Sequence, residues 1–156
     1  MRVHIGGDHA AYELQRDLVG WLAGQGHDVV DHGPREYDAL DDYPVFVLRA
    51  AQGVAADPGS LGVVLGGSGN GEQMAANKVA GIRAALAYNP ELARLAREHN
   101  DAQVVSLGAR MHTVQEAREI VAAFLRTPFS GEQRHQRRID MVLAYEADGT
   151  LPPPPG

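Results

Sequence analysis

The sequence lacks several features that particular protein classes require. None of its 156 residues is cysteine, which excludes disulfides, thiolate catalysis and cysteine-ligated zinc. No apolar run approaches the roughly 20 residues that span a bilayer, and no charged-then-apolar leader precedes the first strand-like segment, so we expect a soluble, cytoplasmic protein. The formal net charge of -6 argues against general nucleic-acid binding, which needs a basic surface.

Length and apolar content indicate one domain. At 156 residues and 44% hydrophobic, the chain is long enough for one domain with a substantial core and too short to expect two domains. We assign residues 1–150 to this domain and expect residues 151–156, with four consecutive prolines, to be disordered or extended. Lys78 is the only lysine, so arginine, whose planar fork suits the capture of phosphate or carboxylate, carries most of the positive charge.

Strand-like and helix-like segments alternate along the chain. Periodicity predicts strands at residues 2–5, 27–32, 61–65, 82–87 and 103–107. Helices are predicted between them and after the last strand, one of them over residues 72–79. Helix starts are marked by Asn89 before Pro90, by Thr113 with Glu116, and by Ser130 with Gln133. The alternation predicts an α/β fold, a Rossmann-like three-layer αβα sandwich around a five-stranded parallel sheet.

In such sheets, ligands bind at the carboxyl ends of the strands, near a switch in strand order. Three groups of residues would lie on that edge: Asp8 and His9 after the first strand, a glycine-rich loop after the third, and Arg110 with His112 after the fifth. For Asp8 and His9, the alternative is an Asx-type turn with a solvated histidine.

The glycine-rich loop, residues 66–73, reads G-G-S-G-N-G-E-Q. Glycines let backbone N–H groups turn inward and bind anionic oxygen, but a Walker loop needs Lys after its last glycine, where this chain has Glu72. The dinucleotide fingerprint fails too, because Glu72 falls on its third glycine position. A glutamate would repel a bound phosphate, so the loop suits a transient oxyanion formed when Glu72 removes a proton from carbon. The alternative is a tight turn with Glu72 as a first-turn carboxylate.

Four further residues are candidates with structural alternatives. His99 and Asn100 follow a predicted helix, and either could be only a C-terminal cap. Arg134 and Arg138 lie four apart on a predicted helix, so a shared anion or an ordinary solvated face would explain them.

Metal binding and nucleophilic catalysis are not indicated. No histidine pair has a recognised metal spacing, so we predict no metal. Ser68 does not lie in a G-x-S-x-G elbow, and its hydroxyl is better interpreted as a hydrogen-bond donor within the oxyanion loop.

Six motifs in order resemble the RpiB/LacA/LacB family of sugar-phosphate isomerases, and within it the actinobacterial ribose-5-phosphate isomerase B branch. The motifs are G-G-D-H-A-A at 6–11, D-D-Y-P at 41–44, G-G-S-G-N-G-E-Q-M-A-A-N-K at 66–78, A-R-E-H-N at 96–100, G-A-R-M-H at 108–112 and R-H-Q-R-R at 134–138. The similarity extends from Arg2 to about Tyr145.

The resemblance implies an aldose–ketose isomerase that needs no metal or cofactor. It would interconvert D-ribose 5-phosphate and D-ribulose 5-phosphate through a cis-enediolate, in the non-oxidative pentose phosphate pathway. Many family members have a cysteine base where this chain has Gly66, and in the actinobacterial branch a glutamate at the position of Glu72 takes that role. The alternatives are an isomerase of a six-carbon sugar phosphate, such as allose 6-phosphate or galactose 6-phosphate, and a non-catalytic phosphosugar sensor.

The resemblance also implies roles for individual residues. Glu72 would be the base and His99 the proton donor that opens the furanose ring, with Ser68 and Asp8 assisting as catalytic residues. The substrate-binding residues would be Asp8, His9, Tyr43, Gly67, Ser68, Gly69, Asn70, Gly71, Asn100, Arg110, Arg134 and Arg138. Within this set, His9 and the three arginines would hold the phosphate, while Asp8 and Asn100 would hold sugar hydroxyls. In the family Arg134 and Arg138 come from the partner subunit, so we expect a homodimer with a shared active site, or a tetramer built from two.

Overall fold

The computed structural model describes residues 1–156 and contains one sheet of five parallel strands. The strands are β1 Arg2–Gly7, β2 Asp28–Asp31, β3 Leu61–Gly66, β4 Ala84–Leu86 and β5 Val104–Gly108, in the spatial order β2-β1-β3-β5-β4. The predicted parallel sheet is therefore confirmed. Strand order reverses between β1 and β3, which places the expected ligand crevice at the carboxyl ends of these two strands.

Helices cover both faces of the sheet. They are α1 Tyr12–Gly24, α2 Tyr43–Ala55, α3 Asn70–Ala76, α4 Pro90–Asn100, α5 Val114–Arg126 and α6 Gln133–Asp148, with a short 3-10 turn at His9–Ala11. The larger apolar cluster contains Leu18 of α1 and Phe124 of α5, and a smaller one on the opposite face contains Val47 of α2 and Ala76 of α3. The αβα sandwich is thus confirmed.

Two of the three predicted helix starts are confirmed. The side chain of Asn89 accepts a hydrogen bond from the Leu92 N–H at 2.8 Å, and that of Thr113 accepts from the Glu116 N–H at 3.1 Å. The predicted cap at Ser130 is wrong, because α6 begins at Gln133 with Glu132 as its N-cap. The Ser130 hydroxyl is hydrogen-bonded instead to the Glu132 N–H and to Nδ1 of His135.

The helix after the glycine-rich loop also differs from its predicted bounds. It spans Asn70–Ala76, two residues earlier at its start than the predicted 72–79. Glu72 therefore lies within the first turn of α3, one residue past Gly71 and three past the N-cap Gly69.

Helix α6 and the segment after it lie at the surface. Only His135 and Ile139 of α6 are buried, whereas Met141, Val142 and Tyr145 are exposed. Residues 151–156 contain no helix or strand, and the first three of them line a shallow cavity along α6. Their disorder stays a prediction. No helix combines the length and apolar character needed to cross a membrane.

Candidate active site

The glycine-rich loop is fixed by hydrogen bonds from β5, from the two residues that follow β5, and from Tyr88, two residues past β4. The donor–acceptor pairs are Ala109 N–H to Gly66 O at 2.8 Å, Arg110 N–H to Gly67 O at 3.1 Å, Ser106 hydroxyl to Gly69 O at 2.7 Å and Tyr88 hydroxyl to Ser68 O at 2.8 Å. Because these four carbonyls are hydrogen-bonded, the loop is held rigidly at the point where the strand order reverses.

Glycine is required at the centre of this loop. Gly69 has φ of +87°, and a Cβ there would lie 2.9 Å from the carbonyl of Leu107. The Ser68 hydroxyl accepts a hydrogen bond from the Asn70 N–H at 3.2 Å, which is a contact within the loop. The first N–H groups of α3, which have no intrahelical partner, follow directly after Gly69. The loop therefore presents donors of the kind that stabilise an oxyanion.

The carboxylate of Glu72 occupies the space where a side chain on residue 66 would be. A Cβ built on Gly66 would lie 1.8 Å from Oε1 of Glu72 and 2.1 Å from its Cδ. Glu72 is only 4% exposed. A cysteine at position 66 and a glutamate in this rotamer at position 72 therefore exclude each other sterically.

The surroundings of Glu72 raise its pKa above the ordinary value. Burial is the largest cause, and the negative charge of Asp8 adds to it, while a hydrogen bond from Glu72's own backbone N–H opposes them. Burial therefore dominates over the backbone donor. A carboxylate whose pKa lies closer to neutral is a stronger general base.

Asp8 and His9 lie beside this carboxylate at the end of β1. Asp8 is buried, and its Oδ1 accepts a hydrogen bond from the Ala10 N–H at 3.0 Å, so the Asx-type turn is present. His9 donates its backbone N–H and its ring Nδ1–H to Oδ1 of Asp41, at 2.9 Å and 2.7 Å. The hydrogen bond that His9 donates to Asp41 is the main reason that the pKa of His9 is raised. Asp41 stands in the D-D-Y-P motif, but its role was not predicted from the sequence.

Asp8, His9 and Asp41 are also the only group whose potential metal-binding atoms lie within 4.8 Å of one another. Because Nδ1 of His9 and Oδ1 of Asp41 are already hydrogen-bonded at 2.7 Å, a cation would have to break that bond. The absence of a metal remains a prediction, and so does the absence of a cofactor.

Tyr43 and Arg110 complete this side of the site. The ring of Tyr43 covers Gly71, since a Cβ there would lie 2.7 Å from Cζ of the tyrosine. Arg110 lies over Gly67, with Nη1 3.2 Å from a Cβ built on that residue, and it forms no ion pair. An exposed guanidinium without an acidic partner is available to an anion.

The remaining predicted residues lie at the opposite edge of the sheet. Helix α4 begins after β4 and runs back along the sheet for 11 residues, which is about 16 Å at 1.5 Å per residue. At its end, the Asn100 carbonyl accepts a hydrogen bond from Nε of Arg83 at 2.9 Å, and Arg83 directly precedes β4. His99 and Asn100 therefore lie where the strands begin, whereas Glu72 lies where they end.

His99 belongs to a cluster formed with α6. Its ring packs against the ring of His135, with centroids 4.3 Å apart and an interplanar angle of 33°. The Ser130 hydroxyl is hydrogen-bonded to Nδ1 of His135 at 2.7 Å, and its oxygen also accepts from the Glu132 N–H. Burial, followed by the positive charge of His99, lowers the pKa of His135. His135 therefore stays neutral to a lower pH than an ordinary histidine, and its contact with His99 was not predicted from the sequence.

The two arginines of α6 lie beside this cluster. Arg134 forms an ion pair with Glu132 at 2.7 Å, as the solvated-face alternative anticipates, while Arg138 has no acidic partner. The predicted site residues thus form two groups. The carboxyl-edge group contains Asp8, His9, Tyr43, Gly67, Ser68, Gly69, Asn70, Gly71, Glu72 and Arg110, and the amino-edge group contains His99, Asn100, Arg134 and Arg138.

Known proteins match this chain over nearly its whole length. The sequence model of the family described as Ribose/Galactose Isomerase matches residues 3–142. Ribose-5-phosphate isomerase B of Mycobacterium leprae is 58% identical over 156 residues, covering 100% of this chain and 96% of that protein. The structure of ribose-5-phosphate isomerase B from Clostridium thermocellum has a TM-score of 0.91 at 38% identity, covering 96% of this chain and 100% of that one. The Mycoplasma genitalium enzyme, described with bound ribulose-5-phosphate, has a TM-score of 0.90 at 40% identity, covering 94% and 97%.

Proposed function

The chain belongs to the ribose/galactose isomerase family, and we propose that it interconverts D-ribose 5-phosphate and D-ribulose 5-phosphate. It is an aldose–ketose isomerase. The observation that carries the proposal is the buried carboxylate of Glu72, with its raised pKa, beside a rigid loop of glycine residues. We also propose a cytoplasmic location, since phosphorylated sugars do not cross membranes unaided.

The reaction moves one proton between adjacent carbons. His99 donates a proton to the ring oxygen of the furanose while the C1 hydroxyl loses its own, which opens the ring to the aldehyde. Glu72 then removes the proton from C2, and the negative charge that develops on O1 is stabilised by N–H groups of the glycine-rich loop and the Ser68 hydroxyl. Return of the proton from Glu72 to C1, together with transfer of the O2 proton to O1, gives the ketose. Each donor of this kind contributes roughly 3 to 4 kcal/mol in other enzymes.

Substrate capture uses the charges around this centre. His9 and Arg110 hold the phosphate together with Arg134 and Arg138. Tyr43, lying over Gly71, closes one side of the sugar site, and Asp8 with Asn100 holds sugar hydroxyls.

The shared site requires two copies of the chain. His99 and Glu72 lie at opposite edges of the sheet of one chain, so one chain cannot bring both to the same sugar. A second copy related by a two-fold axis would place its amino-edge group over the carboxyl-edge group of the first, which creates two equal sites. The exposed apolar side chains of Met141, Val142 and Tyr145 on α6 support such an interface.

Isomerisation in heavy water tests the chemistry. Ribose 5-phosphate incubated with the protein in D2O should acquire deuterium at the exchanged carbon, followed by NMR, and Glu72→Gln should abolish the exchange while binding persists. Allose 6-phosphate and galactose 6-phosphate serve as comparison substrates. Binding of ribose 5-phosphate without exchange by the unaltered protein would refute the proposed activity.

Subunit complementation tests the shared site. Glu72→Gln and His99→Asn each inactivate both sites of their own homodimer. A mixed dimer of the two variants has one site with both changes and one with neither. Random mixing makes half of the dimers mixed, so about a quarter of the unaltered activity should return.

A matched control uses two changes in the same group. Glu72→Gln mixed with Arg110→Ala should restore nothing, because every site then carries one of the two changes. Failure of the first mixture to regain activity, after exchange of subunits has been verified by mass spectrometry, would contradict the two-chain site.

A further inference from the structure

One carboxylate oxygen of Asp41 accepts two hydrogen bonds from His9. Its Oδ1 accepts from the His9 backbone N–H at 2.9 Å and from the ring Nδ1–H at 2.7 Å. The Asp41 side chain is 8% exposed, and Oδ2 is buried without any hydrogen-bond partner. An ionised carboxylate that is buried with one oxygen unsatisfied is costly, which indicates a role other than stability.

The segment that carries Asp41 is held in place independently of His9. The Gly33 carbonyl accepts from the Gly7 N–H at 3.2 Å and from the Gln15 side-chain amide at 2.8 Å. The Tyr12 hydroxyl donates to the Arg35 carbonyl at 3.2 Å. The first part of the 11-residue connection between β2 and α2 is therefore anchored on β1 and α1. Near its end, the Asp41 N–H donates to the Asp38 carbonyl at 3.1 Å, and α2 begins two residues after Asp41.

The pairing determines which ring atom of His9 can meet a ligand. With Nδ1–H donated to Asp41, Nε2 is the only ring nitrogen open to a ligand, and it binds a phosphate oxygen only when it carries a proton. We propose that Asp41 is a positioning residue that holds His9 as an imidazolium, with Nε2–H as the donor to the substrate phosphate. This inference rests on the proposed function, in which His9 binds that phosphate.

The charges that face His9 agree with this role. The hydrogen bond to Asp41 is the largest cause of the raised pKa of His9, and the charge of Asp8 acts in the same direction. Burial and the positive charge of Arg110 oppose them. His9 therefore keeps its charge to a higher pH than an unpaired histidine does.

The predicted effect of Asp41 on phosphate affinity is opposite to the effect that Coulomb repulsion alone would have. Asp41 is an anion near an anion-binding site, so neutralising it should strengthen phosphate binding if charge alone mattered. If Asp41 acts through His9, neutralising it should weaken phosphate binding, because the imidazolium is lost.

Asp41→Asn is the informative variant. The asparagine oxygen can still accept the His9 backbone N–H, so the connection stays anchored while the charge is removed. Asp42→Asn is the matched control, since Asp42 is exposed, makes no side-chain cap and has no contact with His9. The readouts are the titration of His9 by NMR in the free protein, the affinity for inorganic phosphate, and kcat and KM for ribose 5-phosphate from pH 6 to 9.

We expect Asp41→Asn to lower the pKa of His9 and to raise KM by about tenfold, with kcat within twofold. The effect should be largest between the two His9 pKa values and should shrink below the lower of them, where both forms are charged. The substrate phosphate also titrates in this range, so KM and kcat of the variant are divided by those of the unaltered protein at each pH. In a His9→Gln background, Asp41→Asn should change KM no further.

Each outcome decides the question. An unchanged His9 titration and phosphate affinity in Asp41→Asn would overturn the proposal, as would tighter binding or an equal effect of Asp42→Asn. A purely structural role would leave Asp41→Asn near normal and make Asp41→Ala less stable at every pH. If the protein does not isomerise ribose 5-phosphate, the proposed function fails, but the His9 titration and phosphate affinity still test Asp41.

Discussion

Replacing Gly66 by alanine tests whether the base needs the space that this glycine leaves. The new Cβ would lie 1.8 Å from Oε1 of Glu72, 2.1 Å from Cδ and 2.6 Å from Oε2. Contacts shorter than 3.0 Å are essentially absent for real Cβ atoms, so Oε1 must retreat from 1.8 to at least 3.0 Å, a shift of about 1.2 Å. The carboxylate must therefore leave its position beside the loop.

The displacement has a large effect on rate and a small one on stability. A misplacement of about 1 Å can cost about 10²-fold in rate, which corresponds to about 2.7 kcal/mol in the activation barrier. Stability should change little, because the clash involves the end of a flexible side chain and Gly66 has no positive φ. We expect kcat for ribose 5-phosphate to fall about 10²-fold, with the thermal midpoint nearly unchanged.

Two further variants separate the base from other causes. Gly20→Ala is the control, since nothing lies within 4 Å of its added Cβ in the middle of α1, and it should stabilise by about 0.5–1 kcal/mol without affecting turnover. In a Glu72→Gln background, Gly66→Ala should slow the reaction no further. Normal kcat in Gly66→Ala, or a full additional loss in the double variant, would refute the assignment of Glu72 as the displaced base.

Two other perturbations test the charges of the site. Glu72→Gln should lower kcat by about 10²–10⁴-fold and raise the thermal midpoint at pH 8. The raised pKa means that the folded state binds more protons than the unfolded one, so ionising Glu72 costs stability as pH rises above its unfolded value. The gain measured by circular dichroism should vanish at low pH, and an unchanged midpoint at pH 8 would contradict the buried carboxylate. Arg138→Ala should raise KM with little change in kcat, whereas Arg137→Ala, at an exposed neighbour, should not raise KM. Equal effects of both would indicate that only the overall positive charge of α6 attracts the substrate.

The sequence predicts the parts of the site that depend on local chemistry. The loop at 66–73 predicts Glu72 as the base because glycine spacing and one carboxylate lie within eight consecutive residues. The helix start at Asn89 also depends on local sequence, because its side chain caps an N–H group only three residues on. Ser130 has the same kind of signal, yet its hydroxyl is used by His135, which only the folded chain brings near it.

Contacts between distant segments could not be predicted in this way. Asp41 meets His9 across 32 residues, and it lies in the connection between β2 and α2, which has no helix or strand, so no periodicity indicates the contact. The direction of the Glu72 pKa depended on burial competing with a backbone donor, and burial is a property of the whole fold. The position of His99 could have been inferred, since a helix between parallel strands returns to the amino edge.

The charges on one chain are a further argument for the proposed second copy. Glu72, Asp8 and Asp41 are three carboxylates facing two cations, His9 and Arg110. A sugar phosphate with about two negative charges, and an enediolate with one more, would meet a half-site that is itself negative. The amino-edge group brings His99 and the unpaired Arg138, and Arg134 if it leaves Glu132. In the proposed dimer, the second copy would supply positive charge as well as the proton donor, which would let a buried carboxylate act as a base next to a phosphate.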